Sequence, residues 1–143
     1  MRINHADTPA PQFVRPPIPG RQAVELSDRL IVTLPPGCVP IFDHVHDDID
    51  HFVYMLDGAL DIWLDGRQVH LTRGQSCFVR RGVMHRVANS ETLPARLLLV
   101  SSPGREAQRL FAEIQQVIIA PETETAWIAE VLARHGSRLA EPA

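Results

Sequence analysis

Four histidines in two separate segments are the residues of this chain best suited to chemistry. His44, His46 and His51 fall within eight residues, and His85 follows in a second segment. Imidazole is the commonest protein ligand for transition metals, because its neutral nitrogen donates an electron pair without adding negative charge. Alternate residues of an extended strand face the same side, so His44 and His46 direct two imidazoles at one point. The pattern indicates a metal centre that His51 and His85 complete from elsewhere in the fold.

Glycines at fixed distances surround these histidines. The first segment reads Gly37, six residues, His44-Val45-His46, four residues, His51, six residues and Gly58. The second segment reads Gly74, seven residues, Gly82, two residues, His85, three residues and Asn89. This spacing is more specific than any single histidine, because H-x-H pairs also arise by chance.

The two segments resemble the paired motifs of the cupin superfamily, in which two histidines, a glutamate and a last histidine bind a metal. The first spacer is one residue longer than the family pattern, and Arg80 stands where the family has proline. The resemblance implies an all-β fold, a double-stranded β-helix or jelly-roll barrel, with residues 1–143 forming a single cupin domain. It implies less about function, because cupins include isomerases, dioxygenases, decarboxylases and binding proteins.

The main departure from the family pattern is His51 at the position of the glutamate. The six residues before Gly58 favour His51, and so does strand alternation, which puts Val53 on the same face. Asp50 is the alternative, because the family spacer can be one residue shorter. We therefore predict His44, His46, His51 and His85 as metal ligands and, through the metal, as catalytic residues. The predicted cofactor is one divalent transition metal, with iron or manganese favoured and zinc, nickel or copper compatible.

The predicted ligand set determines the predicted chemistry. Four neutral imidazoles leave a divalent ion with both positive charges, whereas a carboxylate would neutralise one. Such an ion attracts an anionic enolate or catecholate and acts as a strong Lewis acid. We predict a non-haem dioxygenase-type oxidoreductase acting on a small, partly apolar oxygenated compound of diketone, polyphenol or alkene type. The alternatives are a redox-inert metal-dependent cyclase or isomerase, and a non-catalytic small-molecule-binding cupin.

Composition agrees with a single globular domain. The chain has 143 residues, 45% of them hydrophobic, and its net charge of −3 argues against nucleic acid as a partner. All 14 basic residues are arginine, which excludes lysine-based covalent catalysis. The N-terminus lacks an apolar leader, and no run approaches membrane-span length, so we expect a cytoplasmic protein. Cys38 and Cys77 are expected to be packed thiols.

The histidines must be positioned by short strands. Residues 1–20 contain five prolines and are predicted to form an extended arm, either a loose tail or a segment lying on the partner in a homodimer. Residues 21–101 are predicted to form the barrel, with Asp57-Gly58 and Asp65-Gly66 as tight hairpin turns. The predicted strands are residues 29–34, 51–56, 59–64, 67–71, 77–79 and 96–100.

Residues 102–136 are predicted to form C-terminal helices. Ser102-Pro103 can start the first helix, Thr123 can cap the second, and Gly136 can end it. Apolar residues along one face of each indicate that the helices cover an open side of the barrel. A sharper alternative is that the first helix covers the pocket and restricts substrate size.

Overall fold

The computed structural model describes residues 2–4, 11–16, 26–38, 43–118 and 122–140. The first strands in chain order are β1 (Arg2–Asn4), β2 (Gln12–Val14), β3 (Asp28–Leu34), β4 (His44–His46), β5 (Asp50–Asp57) and β6 (Ala59–Leu64). They are followed by β7 (Arg67–Thr72), β8 (Ser76–Val79), β9 (His85–Ala88) and β10 (Ala95–Ser102). The C-terminal elements are α1 (Gly104–Ile118), β11 (Glu122–Glu124), α2 (Thr125–Arg134) and β12 (Ser137–Leu139).

Two five-stranded antiparallel sheets share one hydrophobic core. The first sheet has the strand order β2-β3-β10-β5-β8, and the second has the order β12-β4-β9-β6-β7. The core between them contains Leu30 and Val53 from the first sheet, and Leu60 and Ile62 from the second. The predicted all-β double-stranded β-helix is therefore confirmed. Within the described ranges, the two sheets are not closed into a barrel by hydrogen bonds.

The strands predicted from the sequence pattern are found at the predicted positions. The six predicted runs coincide with β3, β5, β6, β7, β8 and β10, with ends that differ by at most two residues. In β5, His51, Val53 and Met55 are buried, whereas Phe52 and Tyr54 are each 38% exposed on the opposite face. This is the parity that a strand with one face on the core requires.

The two Asp-Gly turns differ from one another. Asp65-Gly66 forms the predicted hairpin between β6 and β7, with φ of 50° and 80°. The prediction of a hairpin at Asp57-Gly58 is wrong, because β5 and β6 lie in different sheets. This turn carries the chain across the core, and a side chain at Gly58 would collide with the carbonyl oxygen of Pro94. A positive φ suits both geometries, so the dipeptide alone cannot distinguish them.

The described parts of the N-terminal arm are two short strands, β1, which pairs with β11, and β2, which lies at the edge of the first sheet. β2 lies between Pro11 and Pro16 in the chain and pairs with β3. Prolines at both ends are typical of an edge strand. Arg15 then donates two hydrogen bonds to the buried carboxylate of Asp28, at 2.8 and 3.0 Å. The predicted homodimer and the predicted role of the arm on a partner stay predictions.

The C-terminal segment contains both helices and strands. α1 begins directly after Ser102-Pro103, as predicted, and Gly136 follows α2 with a φ of 65°. The prediction of Thr123 as a helix cap is wrong, because residues 122–124 pair with β1 and α2 begins at Thr125. A small second core buries Leu110 of α1 against Val131 of α2. Among the described helices, none is long and apolar enough to cross a membrane.

Candidate metal centre

The structure brings the four predicted histidines together from both sheets. His44 and His46 lie on β4, and His85 of β9 is the cross-strand partner of His44. His51 comes from β5 in the opposite sheet. The ring centroid of His44 lies 4.1 Å from that of His85 and 4.9 Å from that of His46. The ring centroid of His51 lies 4.8 Å from that of His46 and 5.7 Å from that of His85.

Three of the four histidines bring their ring nitrogens close enough together to hold one metal ion. One ring nitrogen from each of His44, His46 and His85 lies within 4.8 Å of the others. His51 lies beside this group without belonging to it. That His51 ligates a metal therefore stays a prediction, which is supported by the position of its ring beside that of His46.

Asp50, the alternative to His51, is engaged elsewhere. Its carboxylate accepts hydrogen bonds from the backbone N–H of Arg81 at 2.7 Å and from the Arg81 guanidinium at 3.0 Å. These bonds also lower the pKa of Asp50. Asp50 therefore stands on the exposed side of β5, whereas His51 points inward.

Two buried serines contact ring nitrogens of the cluster. Ser137 Oγ lies 2.7 Å from His46 Nδ1, and Ser101 Oγ lies 2.7 Å from His51 Nδ1. Both serines are direct cross-strand partners of their histidines, from β12 and β10 respectively. With Nδ1 occupied in each ring, Nε2 is the nitrogen available to a metal.

The hydrogen bond of His85 fixes its tautomer. His85 Nδ1 lies 3.0 Å from the carbonyl oxygen of Val83. A carbonyl can only accept a hydrogen bond, so Nδ1 must carry the proton and Nε2 keeps its lone pair. Neutral imidazole in this tautomer is the form that ligates transition metals.

Burial keeps the clustered histidines neutral. Burial is the main cause that lowers the pKa of His46 to about 2, and repulsion from His51 and His85 contributes less. Burial also lowers the pKa of His51 well below its usual range. The pKa of His85 is lowered by burial, partly offset by the Val83 carbonyl. A set of buried neutral imidazoles fits a divalent transition ion, which requires unprotonated nitrogen ligands.

An apolar cavity of about 260 Å³ opens from the histidines. Phe13 of β2 and Phe111 of α1 line it together, with ring centroids 5.9 Å apart. Phe111 also lies 5.9 Å from the ring of His51. The other lining residues of α1 are Leu110 and Ile114. The first C-terminal helix thus forms a wall of the pocket, which fits both interpretations of this segment, and its restriction of substrate size stays a prediction.

Charged groups are scarce in the described wall of this cavity. Among the described lining residues, the ionisable side chains are the four histidines, Cys38 and Arg86. The Arg86 guanidinium lies 4.3 Å from the centre of the Trp63 ring, and its Nε is 3.3 Å from an Asp43 carboxylate oxygen. Arg86 therefore contacts Trp63 and Asp43, although its buried Nε makes no hydrogen bond within the described part of the chain.

The remaining motif residues have structural roles. Asn89 is fully buried, and its amide donates to the carbonyl oxygens of Leu34 and Leu93 at 3.0 and 2.8 Å. It joins the end of β3 to the loop before β10 and is not among the described residues that line the cavity. Cys38 and Cys77 are free thiols whose pKa values are raised by burial.

Ser101 and Ser137 are the site residues that sequence reasoning missed. Serine is common, and neither residue has a diagnostic spacing from a histidine. Their role arises from strand pairing over 50 and 91 residues of sequence separation. Only the register of β10 and β12 reveals it.

Comparison with known proteins settles the family. The sequence model of the cupin domain matches residues 30–101, the segment that contains all four histidines. The chain belongs to the cupin family. The tetracenomycin polyketide synthase protein TcmJ of Streptomyces glaucescens is 35% identical over 72 residues, which cover 50% of this chain and 48% of that protein. The match therefore spans about half the length of that relative.

Solved structures agree on the fold. A cupin-superfamily sugar phosphate isomerase from Silicibacter pomeroyi superposes with a TM-score of 0.57 at 23% identity, covering 67% of this cupin and 61% of that chain. KdgF from a Halomonas species gives a TM-score of 0.55 at 19% identity, and the match covers 68% of this chain and 81% of KdgF. Identities this low establish the shared fold alone.

Proposed function

We propose that this cupin is a metal-dependent enzyme acting on a small, partly apolar oxygenated compound. The observation that carries the proposal is the cluster of four imidazoles at an apolar cavity of about 260 Å³. Ligand pockets typically combine apolar walls with a few polar groups that fix orientation. Here the histidines are those polar groups, so the oxygens of the substrate would face them.

The chain's own residues supply three functions in this proposal. His44, His46, His51 and His85 would hold one divalent ion, which supplies Lewis acidity and, if redox-active, reactivity toward dioxygen. Phe13 and Phe111 would contact the apolar part of the substrate. The apolar side chains of α1 would keep water from this wall when substrate is bound. Water exclusion strengthens electrostatic attraction between the ion and an enolate-type oxygen.

A dioxygenase-type reaction with iron or manganese is the first candidate. Its support is the neutral ligand set, which leaves both charges of the ion for an anionic diketone or polyphenol. The alternative is a redox-inert cyclisation or isomerisation with zinc. The likeness to TcmJ, a polyketide synthase protein, favours a polyketide-type substrate for either reaction.

Aerobic and anaerobic turnover separate these candidates. Metal-free protein is loaded separately with iron(II), manganese(II) or zinc(II) and supplied with benzoylacetone or a dihydroxynaphthalene. Oxygen uptake and products are then measured. We expect oxygen uptake with iron or manganese that disappears in His85→Ala and persists in His70→Ala, which removes a half-exposed imidazole on another strand.

Three outcomes are informative. Product formation without oxygen in the zinc-loaded protein would select the redox-inert reaction. Tight binding of these compounds without product would favour a non-catalytic binding cupin. Neither binding nor turnover with any metal would overturn the proposal.

A further inference from the structure

The last strand of the chain lies directly against the metal-site strand. β12 pairs with β4, so that Ser137 faces His46 across the pair. Backbone bonds hold both ends of this pair, from Asp47 N–H to the Gly136 carbonyl at 3.0 Å and from Ala140 N–H to the Asp43 carbonyl at 2.9 Å. β12 lies beyond the segment 30–101 that matches the cupin domain. A residue outside the matched segment therefore touches a central histidine of the cluster.

The hydroxyl of Ser137 has two partners, the ring Nδ1 of His46 and the backbone carbonyl oxygen of His135. It donates to the carbonyl oxygen of His135 at 3.4 Å, a long hydrogen bond, and lies 2.7 Å from His46 Nδ1. A hydroxyl has a single hydrogen, so when Ser137 donates to the carbonyl it can only accept from His46. The Nδ1 of His46 then carries the proton. Ser137 is 4% exposed, which keeps water from substituting for either partner.

The carbonyl that receives this hydrogen is held by both C-terminal helices. His135 directly follows α2, and its backbone N–H donates to the Leu132 carbonyl at 3.0 Å. The ring Nε2 of His135 lies 3.0 Å from one carboxylate oxygen of Glu113 on α1. Arg134 donates to the other oxygen of the same carboxylate at 2.6 Å. The position of the acceptor therefore depends on the packing of α1 against α2.

We propose that Ser137 is a positioning residue that holds His46 in the Nδ1–H tautomer, with Nε2 directed to the metal. The C-terminal segment of residues 104–139 thereby becomes part of the metal centre as well as a wall of the cavity. This inference rests on the proposed metal site, but it does not depend on which reaction occurs there. Partners of this kind typically fix the ring orientation of a metal-ligating histidine.

Cobalt(II) binding tests the inference without any substrate. The matched variants are Ser137→Thr, which keeps the hydroxyl, and Ser137→Val, which has nearly the same shape without it. Ser76→Ala, an exposed serine on β8, serves as a control for serine loss. Cobalt affinity is measured by chelator competition, and the tautomer of His46 is read from its ring ¹⁵N shifts in the metal-free protein.

We expect Ser137→Val to bind cobalt roughly 10- to 100-fold more weakly than Ser137→Thr, the usual effect of losing such a partner. The His46 nitrogen shifts should change toward a mixture of tautomers in Ser137→Val alone. Equal cobalt affinity in the two variants, or an unchanged His46 tautomer in Ser137→Val, would overturn the inference. Failure of wild-type protein to bind cobalt would instead overturn the proposed metal site.

Discussion

At the scale of single residues, the centre depends on keeping imidazoles neutral. Burial lowers the pKa values of His46, His51 and His85 because the folded protein provides no water to solvate their charged forms. Hydrogen bonds to Nδ1 then decide which nitrogen is available. The spacing of the two motifs and their resemblance to cupins predicted the four histidines, because residue type alone does not distinguish ligands from H-x-H pairs that arise by chance.

The depressed pKa values predict how metal-free protein responds to acid. Below the unfolded pKa of about 6.5, the unfolded chain binds protons that the folded chain does not. The contribution of these histidines to the free energy of unfolding should therefore be constant above about pH 6.5. Below that pH it should fall by up to ~1.4 kcal/mol per pH unit for each such histidine. Urea unfolding of the metal-free protein between about pH 7.5 and about pH 5 measures this slope.

His46→Gln supplies the control for this prediction. Glutamine cannot take up a proton. The free energy of unfolding should therefore change less steeply with pH in the variant than in wild-type protein, by the contribution of one proton, about 1.4 kcal/mol per pH unit. Equal slopes in the two proteins would show that His46 is not neutral when buried, contrary to the pKa of about 2.

At the scale of elements, turns direct strands to the correct sheet. Asp57-Gly58 crosses between sheets and Asp65-Gly66 makes a hairpin, although the two dipeptides are identical. The sequence predicted a hairpin at both positions, because Asp-Gly favours tight turns, and both glycines do have positive φ. It could not predict the crossover, which depends on the contact of Gly58 with Pro94.

A pair of alanine substitutions tests this difference. Gly66→Ala incurs the strain of a positive φ, about 1 kcal/mol, and has open space for its methyl group. Gly58→Ala incurs the same strain and also collides with the Pro94 carbonyl. We expect a clearly larger loss of unfolding free energy for Gly58→Ala in urea titrations. Equal losses would show that the crossover tolerates a side chain.

At the scale of the whole molecule, the proposed metal would connect the two sheets. His44, His46 and His85 belong to the second sheet, and His51 belongs to the first. The resemblance of the paired motifs to those of cupins predicted the jelly-roll arrangement. The placement of β12 beside β4 was not predictable, because a three-residue strand after two helices has too few residues for a periodic signal.

Histidines that come together only in the folded chain predict stabilisation by metal. An ion present at about 1,000 times its dissociation constant would add about 4 kcal/mol to the stability of the folded protein. Thermal unfolding before and after treatment with a chelator checks this, and the melting temperature should fall and recover when metal is returned. A melting temperature that does not respond to metal would contradict a centre that joins the sheets.

The most direct test of the central claim is the metal content of the reconstituted protein, measured by elemental mass spectrometry. His51→Ala and Asp50→Ala are the matched variants, since they alter adjacent residues on opposite faces of β5. The four-histidine centre predicts one ion per chain in wild-type protein and in Asp50→Ala, and a diminished content in His51→Ala. Full metal content in His51→Ala, or no metal in wild-type protein, would contradict it.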